Sequence, residues 1–213
     1  MSIIKKKIGV LRFELLMTML KLVFPKFYFI LKACNYAKIR EQKKVAKTPR
    51  PFTLFLKKYY QEKKISGVEI GVNTGKNAKS LFRELNIKDL YLIDCWENYI
   101  DEYYHIEQTN ENYLRVLKIF ENKCQVKIIK KYSNEAISLF DDNSLDFVYI
   151  DGNHKYNYVF DDLELWYPKL KDKGIIGGHD IFYVWDVYNA VKDWCKMRDL
   201  YFYIRFPDFI IIK

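Results

Sequence analysis

Five short polar clusters carry the side chains that could do chemistry, and each cluster follows a run of apolar residues. They combine carboxylates, hydroxyls, amides and imidazoles, and two of the three histidines in the 213-residue chain stand in them. Carboxylates and imidazoles bind cations, accept hydrogen bonds from hydroxyls and take up protons. The clusters are Glu69–Gly75, Asp94, Ser133–Asn134, Asp151–His154 and Gly177–Asp180.

The first cluster has the shape of a nucleotide-binding loop. Gly71 and Gly75 would let the backbone approach a ligand where the next helix begins. The dinucleotide pattern G-x-G-x-x-G is absent, because Asn73 and Lys76 stand where its second and third glycines would be. The loop therefore favours a nucleotide-like ligand other than a dinucleotide, with an ordinary tight turn between strand and helix as the alternative.

Two carboxylates refine this prediction. Glu69 ends its apolar run directly before the loop, where an acid suits a cationic ligand better than a phosphate. Asp94 follows 25 residues later, where a carboxylate can accept hydrogen bonds from the two hydroxyls of a ribose. Together they indicate a ligand that carries both a ribose and a positive charge.

The elements that must position these clusters alternate between strand and helix from Ile65 onward. Near-continuous apolar strands, such as Phe147–Ile150, are typical of a parallel sheet covered by helices on both faces. The last two strands are separated by about one residue, Pro207, and must form an antiparallel hairpin. The candidate strands are 66–71, 89–94, 125–130, 145–151, 174–178, 200–206 and 208–213, and the candidate helices are 52–63, 76–86, 111–122, 134–140, 156–170 and 184–198.

Five sequence pieces, in this order and spacing, resemble a known family. They are VEIGVNTGKNA, YLID, KYSNEA, FVYIDGNHKY and GIIGGHD, and they lie within a stretch from about residue 66 to residue 182. The stretch resembles the class I S-adenosylmethionine-dependent methyltransferases, within the group that includes catechol O-methyltransferase and the macrolide-sugar O-methyltransferases. The resemblance implies an α/β fold: a Rossmann-like three-layer sandwich whose seven-stranded, mostly parallel sheet ends in an antiparallel hairpin.

The resemblance also implies how the cofactor would be held. Glu69, Gly71 and Gly75 would line its methionine part, and Asp94 would hold its ribose. Ser133 and Asn134 would lie beside the adenine. S-adenosylmethionine carries a positive sulfonium, so this cofactor agrees with the acid that the sequence places at Glu69.

For catalysis, the family implies a divalent metal held by acids after the fourth and fifth strands, with a base three residues after the first acid. The matching positions are Asp151, His179 and Asp180 for the metal, with His154 as the base and Asp151 at the reacting centre. The metal-binding members of the family usually present two acids, or an acid and an amide, where this chain has His179 and Asp180, so a softer metal or none is also expected. The structural alternatives are a histidine that bonds to loop backbone and an aspartate that caps a helix.

A second acidic group lies in the predicted helix that follows His154. Asp161, Asp162 and Glu164 are predicted to form an exposed acidic face, because runs of charge usually face solvent. Trp166 in the same helix is predicted to be a core residue.

The N-terminal part of the chain is a separate problem. Residues 1–64 hold 17 Lys and Arg against 3 Asp and Glu, a net +14, whereas residues 65–213 hold 19 against 24, a net −5. We therefore expect residues 1–50 to be a basic, apolar helical arm with a linker, and residues 51–213 to be the catalytic domain. The arm would contact a membrane surface peripherally or a second copy of the chain, whereas nucleic acid is disfavoured because the acidic domain would repel phosphate.

The function predicted from the sequence is methylation of a hydroxyl on a small molecule or a glycan by an S-adenosylmethionine-dependent O-methyltransferase. Four scattered cysteines favour reduced thiols and a cytoplasmic location, either free or peripheral at the inner face of a membrane. The alternatives are an inactive protein of this fold that acts as a membrane-associated scaffold, and an NAD-dependent Rossmann oxidoreductase. The missing glycines and the terminal hairpin disfavour the oxidoreductase.

Overall fold

The computed structural model describes residues 49–97, 99–100, 105–106 and 110–213. Seven strands form one sheet in the order β3-β2-β1-β4-β5-β7-β6. The pairs β1–β2, β2–β3, β1–β4 and β4–β5 are parallel, and β7 lies antiparallel to both β5 and β6. The strands are β1 Ile65–Ile70, β2 Ile87–Asp94, β3 Val126–Lys130, β4 Leu145–Ile150, β5 Leu170–Gly178, β6 Phe202–Arg205 and β7 Asp208–Ile212.

Helices cover both faces of the sheet. The first three contribute buried residues to the hydrophobic core on one face, and the last three to the core on the other face. This three-layer arrangement confirms the predicted Rossmann-like fold with its C-terminal antiparallel hairpin. The helices are α1 Pro51–Tyr60, α2 Lys76–Glu84, α3 Asn110–Phe120, α4 Ser133–Ala136, α5 Tyr156–Trp166 and α6 Trp185–Met197.

The alternation of side chains along each strand explains why both faces are apolar. In β4, Phe147 and Tyr149 belong to the core beneath α1, α2 and α3, whereas Val148 and Ile150 belong to the opposite core. All four are at most 4% exposed. A strand buried on both faces must be apolar at every position, which is the pattern that the sequence shows.

The boundary between α5 and β5 was predicted wrongly. The helix predicted over 156–170 ends at Trp166, and β5 begins at Leu170 instead of residue 174. Tyr167 keeps helical dihedral angles, but Pro168 after it has no backbone N–H with which to continue the helix. Leu170 then pairs with Leu145 across an irregularity in the β4–β5 register.

The parallel strands bring their carboxyl ends to one edge of the sheet, where ligands bind in folds of this kind. The segments that follow β1, β2, β3, β4 and β5 hold the five polar clusters. Two further strands, Tyr99–Ile100 and His105–Ile106, pair as a separate antiparallel ribbon.

The predicted arm falls almost entirely on residues 1–48, outside the described residues, so the division at residue 50 stays a prediction. No helix within the described residues combines the length and the apolar character needed to cross a bilayer.

Candidate active site

A cavity of about 490 Å³ opens at the carboxyl edge of the sheet. Its volume lies within the range of small-molecule sites, roughly 300–1,000 Å³. The predicted cofactor residues Gly71, Asp94, Ser133 and Asn134 line it, whereas Glu69 and Gly75 do not. We call it the strand-end cavity; its other lining residues are Ile70, Ile93, Cys95, Glu97, Lys131, Tyr132, Glu135, Gly152, Asn153, Tyr158, Asp161, Asp162 and Leu165.

Asp94 shapes one wall of the cavity. Its Oδ2 accepts a hydrogen bond from the backbone N–H of Asn73 at 2.8 Å, and its Oδ1 accepts one from the N–H of Trp96 at 2.8 Å. Burial raises the pKa of Asp94 although these backbone donors act to lower it. The carboxylate thus fixes the loop after β1 against the end of β2.

The two glycines of the first loop have different surroundings. Both have a left-handed φ, +81° at Gly71 and +74° at Gly75. A Cβ at Gly71 would lie 2.1 Å from the carbonyl oxygen of Asp151. The absence of a side chain at Gly71 therefore allows the loops after β1 and β4 to lie in contact. A Cβ at Gly75 would meet only the side chains of α3, with the Cγ2 of Val116 nearest at 3.1 Å.

Glu69 lies beneath the cavity in β1 and is 1% exposed. Its Oε1 accepts a hydrogen bond from the Nδ2 of Asn77 at 3.2 Å, and its Oε2 has no hydrogen-bond partner among the described residues. Burial raises the pKa of Glu69 to about 8, although the Arg50 charge acts to lower it. Its predicted role beside the methionine part of a cofactor stays a prediction.

Ser133 belongs to a buried network that the sequence did not predict. Its hydroxyl donates to Asp162 and accepts a hydrogen bond from the indole N–H of Trp166 at 2.7 Å. Asp162 is only 8% exposed and lines the cavity, so its prediction as part of an exposed face was wrong, whereas Asp161 and Glu164 are exposed. Asp162 stands four residues before buried Trp166, and this helical spacing was the signal that could have placed it on the inner face.

The four residues predicted for catalysis and metal binding lie together beside the cavity. The Nε2 of His154 is 3.0 Å from the Oδ2 of Asp180 and 3.9 Å from the Oδ1 of Asp151. The Nδ1 of His179 is 2.8 Å from the Oδ1 of Asp180 and 3.8 Å from the Oδ1 of Asp151. Each imidazole therefore lies near the same two carboxylates, with nitrogen–oxygen distances of 2.8–3.9 Å.

Sequence reasoning missed a fifth member of this group, Arg50. Its Nη1 donates to the Oδ2 of Asp151 at 2.8 Å, across 101 positions of the sequence. Arg50 directly precedes Pro51, the first residue of α1, and was predicted as part of the basic linker. A basic residue before a helix carries no local signal for such a distant partner. We call Arg50, Asp151, His154, His179 and Asp180 the charge cluster.

Burial and charge oppose each other within the charge cluster. Burial alone would raise the pKa of both carboxyls, but Arg50 and His179 hold the pKa of Asp151 below its ordinary value, and His154 and His179 do the same for Asp180. Burial would lower the pKa of His154, yet Asp151 and Asp180 raise it to about 10. His154 therefore carries a proton near neutral pH.

The donor set gives a mixed answer for a divalent metal. Carboxylate oxygens and imidazole nitrogens of Asp151, His154 and Asp180 lie within 4.8 Å of one another, and such donors suit borderline ions. However, each oxygen of Asp180 already lies within 3.0 Å of an imidazole nitrogen, and one oxygen of Asp151 already binds a guanidinium. An ion bound to Asp151 would lie beside the Arg50 charge, so the cluster in this arrangement does not fit a resident divalent metal.

Comparison with known families agrees with this geometry. Residues 68–181, just over half of the chain, match the family described as "Methyltransferase domain". The chain belongs to this methyltransferase family. The matched residues extend from β1 to just beyond β5 and include every residue of the charge cluster except Arg50.

Solved structures show the same fold. The O-methyltransferase NovP superposes with a TM-score of 0.59 at 14% identity, covering 76% of this chain and 79% of NovP. The precorrin-6y C5,15-methyltransferase of Geobacter metallireducens GS-15 gives a TM-score of 0.57 at 10% identity, covering 76% and 85%. These two methyltransferases share the fold of this chain, although their names give different sites of methylation.

A curated relative extends the comparison without naming an activity. It is the uncharacterized protein y4gI of Sinorhizobium fredii (strain NBRC 101917 / NGR234), 24% identical over 168 residues. The match covers 74% of this chain but only 17% of that protein. The chain therefore corresponds to about a sixth of the length of this relative.

Proposed function

We propose that this methyltransferase uses S-adenosylmethionine to methylate a hydroxyl group on a small molecule or a sugar. One observation carries the proposal: the strand-end cavity and the charge cluster share the loop after β4. Gly152 and Asn153 line the cavity, and Asp151 and His154 on either side of them belong to the cluster. A cofactor in the cavity would therefore lie beside groups that can orient a hydroxyl and take its proton.

The residues of the cavity suit this cofactor. Asp94 lines the cavity, where it is proposed to accept hydrogen bonds from the ribose hydroxyls, and Ser133 and Asn134 also line it, where the adenine is proposed to bind. The partnerless Oε2 of Glu69 is proposed to accept a hydrogen bond from the methionine part of the cofactor. When bound, S-adenosylmethionine supplies a methyl group on a positively charged sulfur.

The transfer needs one bond made and one broken. The acceptor oxygen forms the new C–O bond as the C–S bond breaks, and the electron pair of that bond stays on sulfur. The hydroxyl proton passes to the imidazole of His154, with Asp151 beside it at the reacting centre. Because the two carboxylates keep a proton on His154 near neutral pH, only the deprotonated fraction accepts a proton, and that fraction grows as the pH rises.

The remaining predictions from the sequence belong to the same proposal. The acidic domain suits a neutral small molecule or glycan better than a nucleic acid. The basic arm is proposed to contact a membrane surface or a second copy of the chain, in a cytoplasmic location.

Thermal shift with S-adenosylmethionine and NAD, measured side by side, tests the cofactor. A ligand at about 100 times its dissociation constant adds about 2.7 kcal/mol to the free energy of unfolding, so S-adenosylmethionine should raise the melting temperature and NAD should not. Asp94→Ala should abolish the shift, whereas Asp142→Ala, which removes an exposed carboxylate paired with Lys169, should retain it. A shift with NAD alone, or with neither ligand, would contradict the proposal.

A further inference from the structure

Arg50 belongs to a continuous chain of hydrogen bonds that runs from the start of α1 to Asp151. The backbone N–H of Phe52 donates to the Oδ2 of Asp208 at 2.9 Å, and the hydroxyl of Tyr149 donates to its Oδ1 at 3.1 Å. The Nη1 of Arg50 donates both to the Tyr149 hydroxyl and to Asp151. The start of α1, the sheet and the charge cluster are therefore joined through one guanidinium.

The residues that surround Arg50 are buried. Tyr149 and Asp208 are both fully buried, and the guanidinium lies 5.5 Å from the centre of the Tyr149 ring. The side chain of Phe52 packs on the same ring, with 4.8 Å between ring centres. Only 30% of the Arg50 side chain is exposed, so most of its surface is committed to these contacts.

The balance of charge explains why a cation is needed at this position. Asp151 and Asp208 lie on either side of the guanidinium network, and neither would be stable as an isolated buried anion. Burial opposes the charge of Arg50, but Tyr149, Asp151 and Asp208 outweigh burial and hold its pKa above the ordinary value. An arginine keeps its proton at every physiological pH, so this positive charge is permanent.

We propose that the Arg50 guanidinium is the resident cation of the transfer site, and that it orients Asp151 without a divalent metal. Arg50 is then a positioning residue that acts through Asp151. The inference rests on the proposed function for the meaning of the site, but its test reads metal binding directly.

The same contact would exclude a metal. A divalent ion bound to Asp151 must either lie beside a fixed like charge in a poorly solvated site or displace the guanidinium from its hydrogen bonds. Both routes weaken metal binding. Removal of the guanidinium should leave the Oδ2 of Asp151 without this cation, so that an ion bound to Asp151 would supply the missing positive charge.

Titration of the full chain with Mn²⁺ alone, followed by electron paramagnetic resonance of the free ion, tests this. Arg50→Met removes the charge and keeps an apolar side chain, Arg50→Lys keeps the charge, and Arg83→Met removes an exposed arginine that pairs with Glu84. We expect no saturable Mn²⁺ site in the wild type, Arg50→Lys or Arg83→Met. Arg50→Met should gain affinity by at least about tenfold, and adding Asp151→Asn should abolish the gain.

A saturable Mn²⁺ site in the wild type that is lost in Asp151→Asn would overturn the inference, as would an unchanged Mn²⁺ affinity in folded Arg50→Met. If Arg50→Met does not fold, the wild type and Arg50→Lys still decide, because a metal site in either would overturn it. Calorimetry with S-adenosylmethionine on the same wild-type sample separates the two proposals. Absent cofactor binding would contradict the proposed function while leaving the metal result interpretable.

Discussion

The strand-end cavity and the charge cluster lie side by side at one edge of the sheet, yet they are built in different ways. In the cavity, Asp94 accepts hydrogen bonds from backbone N–H groups of Asn73 and Trp96, 21 and 2 positions away. In the cluster, Asp151 is paired with a guanidinium 101 positions away. The two hydrogen bonds of Asp94 thus join neighbouring strand-end loops, whereas Asp151 depends on a residue that lies outside the strand-end loops.

The two regions also differ in whether their buried carboxyl groups have positively charged neighbours. Asp162 in the cavity has no cationic partner, and burial raises its pKa to about 7. In the cluster, burial acts in the same direction on Asp151 and Asp180, but neighbouring cations hold the pKa of both carboxyls below the ordinary value. The cavity is therefore open to an incoming cationic ligand, while the cluster has largely neutralised its own charges.

The regions meet where Gly71 touches the backbone of Asp151, and the largest expected effect is at this point. In Gly71→Ala, a Cβ would lie 2.1 Å from the carbonyl oxygen of Asp151 at a φ of +81°, so we expect a loss of more than about 3 kcal/mol in the free energy of unfolding. S-adenosylmethionine binding should fail as well. Urea unfolding and calorimetry measure the two effects.

Gly75→Ala is the matched control. Its φ is also left-handed, at +74°, but its Cβ would meet side-chain carbons that can shift. We expect a cost of about 1–2 kcal/mol with the cofactor still bound. Equal losses in the two variants would show that the loop conformation alone matters, and that the contact between the regions does not.

The next largest effect separates the regions by their roles. Near pH 10, where a large share of His154 is deprotonated, His154→Ala should lower turnover by roughly 10²–10⁴-fold, the usual contribution of a positioned acid or base, while cofactor affinity stays within about threefold. The assay follows release of S-adenosylhomocysteine with a catechol or sugar acceptor that the wild type methylates, and calorimetry gives the affinity. His154→Gln, which keeps polar atoms at the position, should be equally slow. A parallel loss of turnover and affinity would contradict a role confined to the charge cluster.

The same contrast explains how much could be predicted from the sequence. The strand ends, the glycine loop and Asp94 were predictable because their signals are local: an apolar run, a turn, and a polar residue where the run stops. Asp162 was misplaced because its charge was weighed above its helical spacing to Trp166. Arg50 could not be predicted, because nothing near Pro51 indicates that its partner is Asp151.

The smallest expected effect tests the electrostatic difference, through the substitution Asp162→Asn. The folded pKa of Asp162 is about 7, above the unfolded value of about 3.9. Between these values the folded state binds more protons, so the free energy of unfolding that this residue contributes falls as the pH rises. Asparagine keeps an oxygen for the Ser133 hydroxyl and has no charge to bury.

Asp162→Asn should therefore differ least from the wild type near pH 4, close to the unfolded pKa, and melt several degrees higher at pH 8, since one pKa unit corresponds to about 1.4 kcal/mol and each kcal/mol to about 2–4 °C. Thermal melts across this range measure the difference, and Asp142→Asn, an exposed carboxylate, should show no such trend. A constant offset at all pH values would mean that Asp162 is already ionised at pH 5. The cavity would then tolerate an unpaired buried carboxylate as well as the charge cluster tolerates its paired ones, and the distinction between the two regions would rest on geometry alone.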